Sequence, residues 1–335
     1  MIVYIFTLDY EIYGNGSGSL HQHVFEPAEK LKEIFKKWEA RFVTFVEVAE
    51  LEVIEKANAD PGIEVVKRQI KELHAQKFEL GLHIHPQWYR ARHEQGRWRL
   101  DYSEYNLSVL PEERIEEILT RALVYLGQLS AESDFVPLSF RAGNWLLQPS
   151  ELIAKVLAKK GIKIDSSVFK GGLQRQFGLD YRRAVRNGYF WRFTSDVNFA
   201  ETSGLLLELP IYTRLAPAWK LLTSKRVNLQ RKGYAASGNG RPSSWFSRLP
   251  DFIRFRVPVK FDFCRMSLKE LKKTAGEIEK EDKKTPELLK PVVLIGHTKD
   301  LSGFDVVDEF LAYLRSRGSR ISTFEEIYDK CLNSI

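Results

Sequence analysis

The chain alternates short apolar runs with longer segments in which apolar residues recur every three or four positions. Side chains repeat every two residues in a strand and every 3.6 in a helix, so the runs predict strands and the periodic segments predict helices. Strands are predicted at 2–8, 42–46, 78–83, 162–165, 205–209, 292–295 and 320–322, and a further strand ends at Phe140. Helices are predicted at 27–38, 65–76, 111–126, 150–159, 267–281 and 306–317, with another at the end. This alternation favours an α/β fold with a parallel sheet, wound as a barrel or as an open sheet.

Residues 212–263 break this pattern, because they are rich in Arg, Pro, Gly, Ser and Trp. We predict a basic, aromatic-containing insertion there, within a single domain that spans 1–335. The chain carries 51 basic and 44 acidic residues, a net charge of +7. Eleven of the basic residues lie between Arg214 and Lys260, against one acid, Asp251, so the rest of the chain is close to neutral.

The basic insertion leaves three interpretations open. Basic residues interleaved with aromatic ones such as Trp219 and Trp245 suit an anionic membrane surface or a lipid phosphate. A solvated loop is the simplest alternative. Nucleic acid is the third and least favoured interpretation and is not expected as a partner, because no recognition motif accompanies the charge.

Composition and the first residues restrict the class of protein. The hydrophobic share of 44% is typical of globular proteins, and two cysteines, Cys264 and Cys331, suit a reducing compartment. No apolar run reaches the roughly 18 residues of a membrane span, and Asp9 and Glu11 interrupt the apolar start. We therefore expect a cytoplasmic protein, with peripheral contact at the inner face of the membrane through 214–260.

Polar side chains follow several of the predicted strands. Asp9 and Glu11 are two residues apart on an extended segment and point the same way, as do His83 and His85. Taken singly, each of these residues can be explained equally well by a structural role, as a helix cap, a turn residue or a surface group. Together, a carboxylate and two imidazoles are a sufficient ligand set for a catalytic zinc ion, and a second carboxylate is then free to act as a general base.

The motifs TLDYE, GLHIHP, FRAGNW, IDSSV, LELPIY and LIGHT occur in this order along the chain. Their order and spacing resemble the five-motif pattern of the polysaccharide deacetylases, the NodB-homology or carbohydrate esterase family 4 group. The opening TLDYEIYGNGSGS most resembles the WbmS-like branch, which is associated with synthesis of lipopolysaccharide O-antigen. The resemblance covers about 1–210 and 290–325 and implies a distorted (β/α) barrel.

The resemblance implies a role for each matching residue. Asp9 would be the catalytic base, and Glu11, His83 and His85 would bind a divalent metal. Zn²⁺ is the first choice for that metal, with Mn²⁺, Co²⁺ or Ni²⁺ as alternatives. The chain departs from the family pattern in two places, because Asp-Tyr-Glu replaces two adjacent aspartates and one residue separates the histidines instead of three.

The remaining motifs supply further expected roles. The resemblance implies that Arg141 holds the base in position, that Asp165 orients His297 as the general acid, and that Leu294 lines the acyl pocket. From the residues themselves, Trp145 is a candidate to stack on a sugar ring. Glu208 is a candidate for substrate contact, with a structural salt bridge as an equal alternative.

The reaction implied is metal-dependent removal of an N-acyl group, first of all N-acetyl, from a sugar. The substrate would belong to a cell-surface glycan precursor such as lipopolysaccharide O-antigen, linked to a nucleotide or a lipid. Two alternatives stay open: a deformylase of a lipid-linked amino sugar, and a non-catalytic protein that binds glycan or lipid carrier on the same fold. An amidohydrolase is disfavoured, because its HxH pair would follow the first strand, where this chain has Asp9 and Glu11.

Overall fold

The computed structural model describes residues 1–185, 188–217 and 256–335. The strands are β1 Ile2–Tyr10, β2 Val43–Glu47, β3 Glu79–Ile84, β4 Arg92–Glu94, β5 Arg97–Arg99, β6 Ser139–Ala142, β7 Ile164–Asp165, β8 Leu173–Gln174, β9 Leu179–Asp180, β10 Trp191–Phe193, β11 Leu206–Glu208, β12 Thr213–Pro217, β13 Arg256–Lys260, β14 Lys290–His297 and β15 Arg320–Ile321. The helices are α1 Glu26–Lys37, α2 Val48–Lys56, α3 Ile63–Ala75, α4 Glu112–Ser130, α5 Ser150–Lys159, α6 Leu268–Asp282, α7 Phe304–Ser316 and α8 Tyr328–Leu332.

Within these described ranges, nine strands form one curled sheet in the order β10-β11-β7-β6-β3-β2-β1-β14, with β15 also paired to β1. Every neighbouring pair is parallel except β10 and β11. The two ends of the sheet approach each other, because Ile211, just after β11, forms a parallel bridge with Val293 of β14. The predicted α/β fold with a distorted (β/α) barrel is therefore confirmed.

The two faces of the sheet bury different sets of residues. On the concave face, Val3 and Ile5 of β1 pack with Phe45 of β2 and with Phe324 and Ile327 from the end of the chain. On the convex face, alternate residues such as Phe6 pack against the helices, in edge-on contact with Phe35 of α1. Since successive side chains alternate between faces, Asp9 lies on the same face as Ile5, inside the barrel.

The insertion is described only at its two ends. There β12 and β13 form an antiparallel ribbon, and 218–255, which carry most of the basic residues, lie outside the described residues. The single domain over 1–335 stays a prediction. Both cysteines are free and buried, and no helix in the described ranges has the length and apolar character that crossing a membrane requires.

Within the described ranges, one α-helix was not predicted. Helix α2 follows β2 directly, and the Glu47 side chain caps it by accepting a hydrogen bond from the backbone N–H of Glu50 at 3.2 Å. A carboxylate at an N-cap satisfies a backbone donor that would otherwise have no partner. This cap also places Glu47 at the carboxyl end of a barrel strand.

Candidate active site

Asp9 is held between a buried cation and an imidazole. An N–H of the Arg141 guanidinium donates to Asp9 Oδ1 at 2.6 Å, and His297 Nε2 lies 3.3 Å from Asp9 Oδ2. These contacts follow from the sheet register, because Asp9 of β1 pairs with His297 of β14. Arg141 is fully buried and stacks on the Phe45 ring, with 4.1 Å between the guanidinium carbon and the ring centroid.

The surroundings of Asp9 keep it ionised. Burial raises the pKa of Asp9, but the Arg141 guanidinium, with help from His297 and His83, outweighs that effect and lowers the pKa below its ordinary value. Burial lowers the pKa of His297, although the Asp9 carboxylate opposes this. The pair thus combines a proton acceptor with an imidazole that is mostly neutral near neutral pH.

A second cluster lies beside this pair. Glu11 Oε2 is 3.6 Å from His83 Nε2 and 3.4 Å from His85 Nδ1, and all three residues are buried. Ligand atoms on a tetrahedral zinc ion, with bonds of about 2.0–2.1 Å, are separated by about 3.3 Å. The donor types and their spacing therefore fit a divalent metal bound by Glu11, His83 and His85.

Glu47 is the member of this cluster that sequence reasoning missed. One of its oxygens accepts hydrogen bonds from the backbone N–H of His85 at 2.7 Å and from His85 Nδ1 at 2.8 Å. Together with Glu11, His83 and His85, it offers ligand atoms within 4.8 Å of one another. The signal was a carboxylate directly after the second predicted strand, at the edge where the other polar residues lie.

Backbone contacts fix the orientation of His83. Its Nδ1 is 2.8 Å from the carbonyl oxygen of Arg141, which leaves Nε2 directed at Glu11. Such a contact on the second ring nitrogen is typical of histidines that bind metals. Burial lowers the pKa of His83, but the carboxylates of Glu11 and Asp9 outweigh it and raise the pKa to about 9. A metal cation would take the place of this proton.

Lys299 constrains the other oxygen of Glu11. Its ammonium lies 2.7 Å from Glu11 Oε1 and 3.1 Å from the carbonyl oxygen of Ile12. Burial raises the pKa of Glu11, but Lys299 and then His85 outweigh it, so the pKa falls well below the ordinary value. Only Oε2 of Glu11 is then left for a metal, and Lys299 is a further site residue that the sequence did not single out.

Comparison with known proteins rests on structure alone. No family profile matches the chain, and no curated protein sequence matches it either. A protein from Mycobacterium smegmatis, provisionally described as a polysaccharide deacetylase, is 14% identical and superposes with a TM-score of 0.55, covering 98% of this chain and 89% of its own. A probable polysaccharide deacetylase from Pseudomonas aeruginosa PAO1 is 12% identical with a TM-score of 0.54, over 97% and 89% of the two chains. The fold is that of the polysaccharide deacetylases.

The deacetylase fold is shared by proteins described with different activities. The PuuE allantoinase superposes with a TM-score of 0.51 at 13% identity, over 97% of this chain and 88% of its own. At such low identity the similarity establishes the fold and leaves the reaction to the residues of the site.

In this structure Asp165 does not contact His297, so that expected contact is wrong. Asp165 instead accepts hydrogen bonds from the backbone N–H of Ser167 at 2.9 Å and from its hydroxyl at 2.7 Å. Its neighbour Ile164 belongs to the interior cluster, so Asp165 faces the helices. Within the described residues, Nδ1 of His297 is buried without a hydrogen-bond partner.

Glu208 lies on the convex face together with Asp165 and does not contact the site. It is fully buried, and its carboxylate accepts a hydrogen bond from the backbone N–H of Val168 at 3.2 Å. Burial and the neighbouring Asp165 carboxylate raise its pKa well above the ordinary value. Glu208 forms no salt bridge with a basic residue in the part of the chain described here, so that alternative is wrong. Its burial on the convex face also contradicts the expected contact with substrate.

Leu294 is also on the convex face of the sheet. It pairs with Phe6 of β1, and both residues belong to the cluster between the sheet and the helices. Leu294 is three residues before His297, and an odd separation along a strand puts two side chains on opposite faces. The Leu294 side chain therefore cannot line a pocket beside His297.

Trp145 does lie beside His297. Its ring meets the His297 ring edge-on, with centroids 6.3 Å apart, and it is only partly buried. Asn144 and Trp145 both adopt left-handed backbone conformations, with φ of 54° and 62°. Such conformations cost energy in residues other than glycine and are common at functional sites.

Gly143 allows His85 to approach the strand β6. A Cβ atom on Gly143 would lie 2.5 Å from the carbonyl oxygen of Ile84 and 2.7 Å from Cδ2 of His85. We expect Gly143→Ala to displace His85 and to weaken zinc binding about 10- to 100-fold, the usual effect of disturbing the support of a ligand. The matched control is Gly276→Ala in α6, where a Cβ meets nothing within 4 Å. Equal zinc affinities for the two variants, measured by competition with a chelator, would contradict this account.

Proposed function

We propose that the protein is a metal-dependent hydrolase that removes an N-acyl group, most simply N-acetyl, from a sugar. The observation that carries the proposal is the buried cluster of Glu11, His83 and His85, which lies beside an ionised Asp9 in contact with His297. The deacetylase fold supports this proposal, since polysaccharide deacetylases share it.

A bound divalent ion would polarise the acyl carbonyl and lower the pKa of a water molecule. Asp9 Oδ2 is available to take the proton of that water, because Arg141 occupies Oδ1 and keeps the carboxylate ionised. His297 Nε2, 3.3 Å from Asp9 Oδ2, can receive this proton and deliver it to the departing nitrogen. The products are a carboxylic acid and a free amine, so atoms and protons balance.

The proposal extends to the metal, the substrate and the location of the protein. We favour zinc as the metal and a precursor of a cell-surface glycan, such as lipopolysaccharide O-antigen, as the substrate, joined to a nucleotide or a lipid. A cytoplasmic location with membrane contact through 214–260 fits such a carrier, although most of that segment lies outside the described residues. A deformylase would use the same groups. A non-catalytic binding protein is less well supported, because the base and the ligands are all present.

The proposed reaction is tested by acetate release from a panel of N-acetylated sugars. The panel should contain free amino sugars, nucleotide sugars and lipid-linked sugars, each with the N-formyl analogue as a second arm. We expect release of acetate or formate that stops when a chelator removes the metal and resumes when zinc is returned. Absence of release from every substrate, in protein that holds one metal ion per chain, would contradict the proposed function.

The metal assignment predicts a clear difference between histidines. His83→Ala should lose the single bound ion, because two of the three remaining neighbours are carboxylates that other groups already engage. The control is His74→Ala, since His74 lies on α3 and pairs with Glu132 away from the site. Elemental analysis of the purified variants gives the answer, and full metal content in both His83→Ala and His85→Ala would refute the assignment.

A further inference from the structure

A lysine lies at the edge of the site, outside every role assigned so far. Lys260 is the last residue of β13, and its ammonium is 2.9 Å from the centroid of the Trp145 ring and 4.6 Å from that of Phe169. The Trp145 ring in turn contacts the ring of His297. A single aromatic side chain therefore separates Lys260 from the proposed general acid.

No carboxylate neutralises this ammonium among the residues that the structure describes. The acid nearest in sequence, Asp262, accepts a hydrogen bond from the backbone N–H of Cys264 and lies 3.6 Å from Arg265. Asp300 also pairs with Arg265, at 2.6 Å. Lys260 is half-buried. Removing its charge even partly from water is costly without an ionic partner, and an aromatic ring offsets only part of that cost.

The local field around Lys260 is positive. Burial, followed by the nearby Arg265 guanidinium, holds the pKa of Lys260 well below its ordinary value, although Asp262 and Asp9 oppose this. Arg141 adds a further positive charge from within the barrel. An anion that arrived beside Lys260 would supply the compensating charge that the protein lacks.

We propose that Lys260, held on the Trp145 ring, binds an anionic substituent of the substrate. The substituent is either a carboxylate on the sugar ring or a phosphate of its carrier, since an ammonium recognises both. This inference rests on the proposed function in one respect, because it takes an N-acylated sugar as the ligand. It assigns to Lys260 the preference for acidic over neutral sugars.

The test compares three probes on the protein of residues 1–335. N-acetylglucosamine is neutral, N-acetylglucosaminuronic acid adds a ring carboxylate, and N-acetylglucosamine 1-phosphate adds a phosphate. Binding is measured by calorimetry on metal-free protein, so that no turnover occurs. In Lys260→Met we expect one or both anionic probes to bind about 10- to 100-fold more weakly, the usual effect of losing a hydrogen bond to a charged group. Binding of the neutral sugar should change less than threefold.

Two controls separate recognition from folding. Lys30→Met removes another lysine that lies over an aromatic ring, 5.4 Å from the centroid of Phe304 on the outer helices, and should change none of the affinities. The melting temperature of Lys260→Met should stay the same or rise, because an unpaired charge is removed. A substantial fall in melting temperature, with equal weakening of all three probes, would make Lys260 a structural residue and overturn the proposal.

The outcomes distinguish this inference from the proposed function. Loss of carboxylate binding alone, or of phosphate binding alone, supports the subsite and identifies its anion. Unchanged affinities for all probes overturn the subsite, even if the wild type releases acetate. If the wild type releases no acetate from any substrate while its anion binding depends on Lys260, the subsite stands and the hydrolase proposal fails.

Discussion

Asp9→Asn should lower the rate of acetate release by about 10²- to 10⁴-fold while leaving the metal in place. Asparagine keeps the size of the side chain and can still accept the hydrogen bond from Arg141, but it cannot take a proton from water. The proposed ligands Glu11, His83 and His85 are untouched, so metal content should remain at one ion per chain. Steady-state kinetics and elemental analysis of the same sample check both statements.

Glu11→Gln is the contrasting variant. It removes the carboxylate that faces both histidines, so it should lose the metal and the activity together. Returning zinc at high concentration should restore part of the activity of Glu11→Gln and none of that of Asp9→Asn. An active Asp9→Asn variant, together with a Glu11→Gln variant that keeps its metal, would reverse the two assignments.

Arg141→Met should destabilise the protein by about 3–5 kcal/mol, the usual effect of breaking a buried ion pair by removing one partner. Arg141 is fully buried, and its guanidinium bonds to Asp9 as well as to the carbonyl and the hydroxyl of Ser166, at 2.9 and 3.1 Å. Methionine leaves the Asp9 charge uncompensated inside the barrel. The free energy of unfolding, measured with a denaturant, gives the size of the effect.

Arg317→Met is the matched control for this prediction. Arg317 also forms a salt bridge, with Glu279 at 2.7 Å, but its side chain is 50% exposed, so we expect a much smaller loss of stability. The double variant Asp9→Asn/Arg141→Met should be more stable than the sum of its single changes implies, because no unpaired charge remains. Equal losses for Arg141→Met and Arg317→Met would show that burial of the Asp9 pair does not govern its contribution.

The sequence predicted which strands carry the candidate site. It predicted less well which face of the sheet each side chain occupies and what that side chain contacts. Asp9 and His297 were placed at strand ends by the hydrophobic pattern, and the sheet register brings them together. The predicted contact between Asp165 and His297 was wrong because β7 has only two residues, too few to indicate which face of the sheet each side chain occupies. Ser166, the next residue, does face the site, where its hydroxyl contacts Arg141 rather than His297.

Glu47, Lys299 and Lys260 were missed for three different reasons. Glu47 ends a strand and caps a helix, and the predicted strand stopped one residue before it. Lys299 follows His297, but nothing in its local pattern indicates that it pairs with Glu11 from the opposite end of the chain. Lys260 was counted with the surface charge of the insertion, and only tertiary packing shows that it enters the site.

The apolar packing at the start of β1 determines from which end a ligand can enter the barrel. Phe324, Ile327 and Cys331 fill the barrel interior there and are almost completely buried, so that end is closed. Asp9 and His297 lie at the other end, where Trp145 and Lys260 are partly exposed. If the proposed hydrolysis is correct, a glycan cannot pass through the barrel, and a single acylated sugar has to enter from this open end. Both products of the proposed reaction would then leave by the same opening.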